Sequence, residues 1–438
     1  MSAFDIRTRT GSDAMNPRYP ARVLVDVRNP NFASFLDAAR WVAASIVFLG
    51  HLRNPLFLGY GSLSASEKGI AVQLWYFVTG WFGPAVIVFF VLSGYLVGGI
   101  ASARINVGRF STSSYAIDRL SRLYVAFLPA LLLTAALDLA GSNWFAATGF
   151  WNHQQPMLAE KVTSAPFESL LTFELFLGNL LMLQTISLPP FGSNGPLWTI
   201  SLEFWFYSVF ALASYVYVSR GRVGRAMSVL ALAIMLVFLG KDFAAYMGLW
   251  LIGVCAAFAP WRSIERPLLA GAGLLGVLVA ARVFQDAMRQ IPSGIWLRDY
   301  CVAISFGWVL VSMRSTGSRL LGASASFNKF MADFSYSLYL IHFPLMLFLL
   351  GALHATGAFD GVARGYSPTS PEGLSIQALV IVATYMFAWL FSTVTERRTP
   401  WVRAKLKALV GGAATAAIDQ PRDGSISSPA NPGHRAPR

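Results

Sequence analysis

Ten mostly apolar runs, nine of about 17–25 residues and a shorter fifth, recur along this sequence, and no other feature limits its fold as strongly. They lie near 33–52, 80–100, 118–140, 196–218, 226–240, 243–260, 267–284, 297–313, 330–352 and 375–396. In lipid a backbone must satisfy its own N–H and C=O groups, so each run is expected as a helix. The expected fold is an all-α polytopic membrane protein, a bundle of about ten transmembrane helices. The fifth and sixth runs are divided only by Gly240, Lys241 and Asp242. Segment 170–187 is also apolar, but Glu174, Asn179 and the following Pro189-Pro190 suggest a re-entrant or surface piece.

A hydrophobic share of 55%, only 13% charged residues and a mean hydropathy of +0.54 exclude an ordinary soluble domain. The net charge of +13 does not indicate nucleic acid, because the basic residues fall in short clusters between apolar runs. Counting Lys and Arg gives 25 on one side of the layout and 8 on the other, with Arg40 left inside the membrane. Both termini are therefore expected to be cytoplasmic. Residues 1–31 form a polar cytoplasmic segment without the apolar core of a cleaved signal. Residues 32–400 form the membrane domain, and 401–438 a basic tail expected to be disordered from about 411. Cys255 and Cys301 lie in apolar runs without a CxxC partner, so neither a zinc site nor a disulfide framework is expected. The long external connection, about 141–195, carries Trp144, Trp151, His153 and Gln154-Gln155. It either covers an external polar substrate or packs on the bundle.

The first run, FLDAARWVAASIVFLGHL from Phe35 to Leu52, contains two groups that a mere anchor would discard. An ionised arginine at mid-bilayer costs roughly 2.5–3.5 kcal/mol on insertion scales. Eleven helical steps separate Arg40 from His51, about 16 Å along the axis and close to three full turns. Both are expected on one face, a fixed cation toward the cytoplasm and a titratable base toward the exterior. Asp37, three residues before Arg40, can pair with it. Arg40 then either belongs to a buried salt bridge or faces a cavity and holds an anionic group. Arg119 and Arg122, in RLSR at the mouth of the third run, share a face suited to forked phosphate binding. Ser93 and Gly94 lie in FFVLSGYLVGG, where small residues commonly serve packing. Glu203, within SNGPLWTISLEFWFY, must be paired, protonated or open to an aqueous cavity. His342, in FSYSLYLIHFPL, is either a hydrogen-bonded bundle histidine or a catalytic one.

Together these motifs resemble the acyltransferase-3 family of bacterial integral-membrane O-acyltransferases. The resemblance rests on R-x10-H at Arg40 and His51, FFVLSGY, RLSR at 119–122, WTISLEFWFY and SYSLYLIHFP, and covers roughly residues 32–400. WTISLE stands where WSLSVE is common, and DAAR where DGLR is common. The chain is similar to stand-alone members without a C-terminal soluble hydrolase-like domain. The resemblance implies a multi-pass protein of the bacterial inner membrane. Its reaction would pass an acyl group, most often acetyl, from cytoplasmic acyl-CoA to a hydroxyl of an extracytoplasmic glycan. It implies catalytic roles for His51, Arg40 and Glu203, and a CoA site at Arg119, Arg122, Ser93 and Gly94. Asp37, Trp198, Tyr339 and His342 would support substrate. No metal and no nucleic acid are implied; membrane lipid and a glycan are the expected partners. The competing class is a ten-helix exporter or flippase using the same polar residues as a path, and it would consume no acyl donor.

Overall fold

The computed structural model describes residues 22–154, 165–219, 221–259, 265–314, 322–359 and 361–418. The expectations placed on Gln155 and on 419–438 fall outside them. The described residues are almost wholly helical. Ten main helices follow one another: α1 (Pro30–Leu56), α2 (Phe82–Ser93), α3 (Thr112–Trp144), α4 (Trp198–Val218), α5 (Arg222–Phe258), α6 (Pro267–Val283), α7 (Gly294–Met313), α8 (Ser335–Ala355), α9 (Pro371–Val394) and α10 (Thr399–Ile418). Among the described residues, eight helical stretches are long and apolar enough to cross a bilayer, and α6 is a shorter apolar helix. Side chains such as Val237 and Leu268 are 83% and 90% exposed, a surface that only lipid would cover.

α5 settles the boundary that Gly240 to Asp242 marked. Gly240 has φ 77° and ψ −179°, which interrupts the helix and favours a residue without Cβ. Before it, Trp205 of α4 meets Phe238 (ring centroids 6.0 Å), and a methyl on Gly224 would touch the Tyr215 hydroxyl at 4.0 Å. Beyond it, Trp198 meets Tyr246 (5.4 Å) and Phe210 meets Trp250 (5.6 Å). The first half therefore runs antiparallel to α4 and the second half parallel to it. The chain reverses at Gly240.

α1 begins cleanly because Asn29 accepts from the N–H groups of Asn31 and Phe32, and Pro30 supplies a preset φ. α2 continues through a π turn, Gly94–Gly99, into Ile100–Asn106. There the second half of α5 packs backbone to backbone: a Cβ on Gly94 would collide with the Trp250 carbonyl, and one on Gly253 with the Val91 carbonyl. Gly94 is thus a packing residue, and the cofactor role expected for it has no geometric support. Segment 170–187 contains only the short helix Phe173–Leu180. It is gripped where Ser201 Oγ and Trp205 Nε1 donate to Met182 O at 2.6 and 2.8 Å. α10 runs from Thr399 to Ile418.

Candidate active site

Two cavities lie along α1, one at Arg40 and one at His51. The larger, about 710 Å³, is lined by Arg40, Arg119, Arg122, Ser93, Glu203 and Tyr339, among others. That volume is within the range of small-molecule sites. α10 and the turn before it add Glu396, Arg397 and Arg403 to this wall, and Asp333 precedes α8. These four escaped the sequence reading. No local pattern in the sequence shows that the last helix folds back over RLSR.

The arginines are held to different degrees. Arg40 Nη1 lies 3.6 Å from Asp37 Oδ1, so the i,i+3 pair exists and still faces the cavity. Arg122 is committed: it donates to Glu396 Oε1 at 2.6 Å, while Glu396 Oε2 accepts from Ser337 N and Oγ at 3.1 Å. Arg119 sits 5.9 Å from the ring centroids of Tyr115 and Tyr207, and its buried Nε has no hydrogen-bond partner among the described residues. A buried N–H without an acceptor is costly, which makes Arg119 the guanidinium best placed to take an anionic ligand. Glu203 accepts from the Tyr207 hydroxyl, which meets Ser93 Oγ at 3.0 Å; Trp250 Nε1 donates to the same oxygen at 3.1 Å. Glu203 and Ser93 therefore belong to the arginine cavity, and Glu203 does not line the cavity of His51.

The second cavity, about 470 Å³, is lined by His51, Asn54, Phe82, Trp198 and Phe343 together with the loop 165–196. That loop does cover the histidine end of the bundle. Trp151 is buried, whereas Trp144 is 72% exposed.

The partner of His51 is His342. His51 Nδ1 lies 2.8 Å from His342 Nε2, with ring planes within 6° of each other, so the contact is an in-plane hydrogen bond. His342 is fully buried, and its Nδ1 lies 2.7 Å from Tyr339 O and 3.2 Å from Leu338 O. A carbonyl can only accept, so Nδ1 of the neutral His342 carries the proton and Nε2 is a bare acceptor. His51 must then donate from Nδ1, and its own Nε2 holds a lone pair. That nitrogen makes no hydrogen bond with a described residue. The chain of donors thus selects the tautomer that a base requires.

Local chemistry holds this arrangement in place. Pro344 has no N–H to pair with the Leu340 carbonyl one turn earlier, and Asn194 Nδ2 takes that carbonyl at 2.9 Å. Asn194 also donates to Thr134 Oγ1 at 2.9 Å. Buried Asp138 accepts from Ser193 N at 2.7 Å and Trp151 Nε1 at 3.1 Å. Asp138→Asn presents an NH2 group to one of two N–H donors. The variant should lose about 1–3 kcal/mol of stability, read as a lower melting temperature in detergent.

A septum separates the cavities. The Tyr339 hydroxyl meets Thr199 Oγ1 at 2.8 Å and donates to Pro196 O at 3.2 Å. Thr199 and Tyr339 line the arginine cavity, and Pro196 and Trp198 line the histidine cavity. The arginines and His51 are thus brought to two compartments sharing one thin wall.

Comparison with known proteins bears on what these compartments do. A family profile described as an acyltransferase domain matches residues 34–394. A protein named O-acetyl transferase, from Shigella phage Sf6, is 24% identical over 334 residues, covering 73% of this chain and 86% of that protein. No solved structure matches.

Proposed function

The chain belongs to the acyltransferase-3 family, and we propose that it moves an acetyl group from cytoplasmic acetyl-CoA to a hydroxyl of a glycan beyond the membrane. It is an acyltransferase with multiple membrane helices. We place it in the bacterial cytoplasmic membrane as a ten-pass protein, counting both halves of α5 and α6, with its termini inside. The observation that carries this reading is the His51–His342 pair, which leaves Nε2 of a cavity-lining histidine bare beside an arginine cavity across a single wall.

The chemistry follows from those groups. Arg119 and Arg40 would hold the phosphates and orient the donor, while Arg122 stays locked to Glu396. The thioester end would pass the septum between Tyr339 and Thr199. His51 Nε2 would take the proton of the acceptor hydroxyl as its oxygen attacks the thioester carbonyl. The tetrahedral adduct then expels the CoA sulfur, the C–S bond breaks, and the thiolate takes the proton from His51. His342 Nε2, hydrogen-bonded to Nδ1–H, stabilises the imidazolium in between. Ester and free thiol leave, and the histidine pair returns to its starting tautomer.

Purified protein in lipid nanodiscs, given acetyl-CoA labelled in the acetyl group and envelope glycan, tests the proposal. Transfer of label to the glycan is expected; an exporter leaves acetyl-CoA intact. Arg119→Ala should weaken CoA binding roughly 10–100-fold, the worth of a charge-assisted contact. Arg119→Lys should recover part of that, since an ammonium keeps charge but not the fork. Isothermal titration with CoA reads both.

A further inference from the structure

The acceptor named above is a class, and the histidine cavity narrows it. Among its described lining residues His51 is the only ionisable one. Its apolar lining is Phe82, Phe167, Trp198 and Phe343 with three prolines and Ala165, and Leu170 is the one branched aliphatic among the described lining residues. An acyl-chain tunnel would be lined by branched aliphatics. A carboxylate or phosphate would meet no guanidinium there and would be desolvated without a counter-charge.

One side chain supplies oriented polarity. Asn54 lies three residues after His51 on α1, hence on the same side of the helix. Arg53 Nη2 donates to Asn54 Oδ1 at 2.8 Å, while its Nη1 donates to Thr79 Oγ1 at 3.2 Å. Arginine only donates, so the amide oxygen must face Arg53 and the NH2 group is left over. That nitrogen makes no hydrogen bond with a described residue, and Asn54 lines the cavity. Arg53 is thereby spent on setting the amide rather than on meeting a ligand's charge.

We propose that this cavity holds one uncharged pyranose unit of the acceptor, its C–H face on Trp198 and a ring or hydroxyl oxygen on the amide of Asn54. A pyranose has an apolar face and a polar rim, which this pairing of indole and amide matches. Asn54 is then a specificity residue, and the hydroxyl delivered to His51 Nε2 is the one that this seating selects. The inference rests on the acyltransferase reading and fails separately from it.

The test uses the full chain in cells and in nanodiscs. Glycan from cells with and without the protein is purified, and the residue bearing the protein-dependent acyl group is located by NMR. That residue should be a neutral sugar. Asn54→Ala should lower kcat/KM for the glycan about tenfold, the worth of one hydrogen bond. Asn54→Asp should lower it further, with CoA affinity unchanged in both, which also shows that the variants are folded. An acyl group on a uronate, a phosphorylated sugar or a lipid overturns the proposal while leaving the acyltransferase intact. So does an Asn54→Ala protein with unaltered glycan kinetics, or one whose loss lies wholly in CoA affinity. If acetyl-CoA is not consumed at all, the proposed acetyl transfer falls and this inference with it.

Discussion

His51→Ala should reduce acyl transfer to glycan by about 10²–10⁴-fold, the usual contribution of a positioned general base. The protein should remain in the membrane and bind CoA as before, because His51 lines the histidine cavity and contributes nothing to the arginine wall. Retained transfer would remove His51 from catalysis. The same preparation separates direct transfer from an acyl-histidine route. Wild-type protein incubated with labelled acetyl-CoA and no glycan should carry no label when quenched. Labelled protein that is then chased by glycan would make Nε2 a nucleophile. Its bare lone pair permits either step; in the second, Nε2 itself bonds the acyl carbon and the CoA thiolate leaves before the acceptor hydroxyl attacks the acyl-histidine.

His342→Phe is expected to cost the second-largest factor, on the order of 10²-fold in kcat. The ring is fully buried among Phe48, Tyr339 and Phe343, so a phenyl group keeps the aromatic packing and needs only small shifts at the edges where the nitrogens made hydrogen bonds. What is lost is the acceptor for His51 Nδ1–H at 2.8 Å. Without it the His51 tautomer is free to invert, and the imidazolium formed during transfer lacks its neighbour. His342→Gln should keep more activity than His342→Phe, because an amide oxygen restores an acceptor to Nδ1. A purely structural histidine would give the opposite order, since the polar replacement disturbs an apolar core more than phenylalanine does. CoA affinity should be unchanged in both variants, so the loss is read in kcat alone.

Asp37 and Arg40 were legible as a pair from spacing, and their 3.6 Å contact is what an i,i+3 helical step allows. RLSR was legible for the same reason: both arginines reach one cavity because three residues nearly complete a turn. Glu203 could be singled out as a costly carboxylate, but its neighbours could not be named. Its hydrogen bond to Tyr207 is one turn away on α4, while Ser93, which closes that network, comes from α2. Asn54 and Thr199 carry no unusual residue chemistry, so nothing local marked them. Asp138 and Asn194 gain meaning only once a loop crosses to the carbonyl that Pro344 leaves free.

The apolar run lengths, the skew of basic residues and the periodic placement of Arg40 and His51 are properties of single segments. They were therefore decided before any tertiary contact: a helical membrane protein with polar groups at two depths. Which groups share a compartment was decided elsewhere. The His51–His342 bond joins residues 291 positions apart, and the division into two cavities depends on how closely α2, α4, α5 and α8 approach. That approach is set by steric contacts, such as Gly94 against the Trp250 backbone, which have no signature within either helix alone. Depth in a bilayer is a one-dimensional quantity that a sequence carries; the register between helices is not.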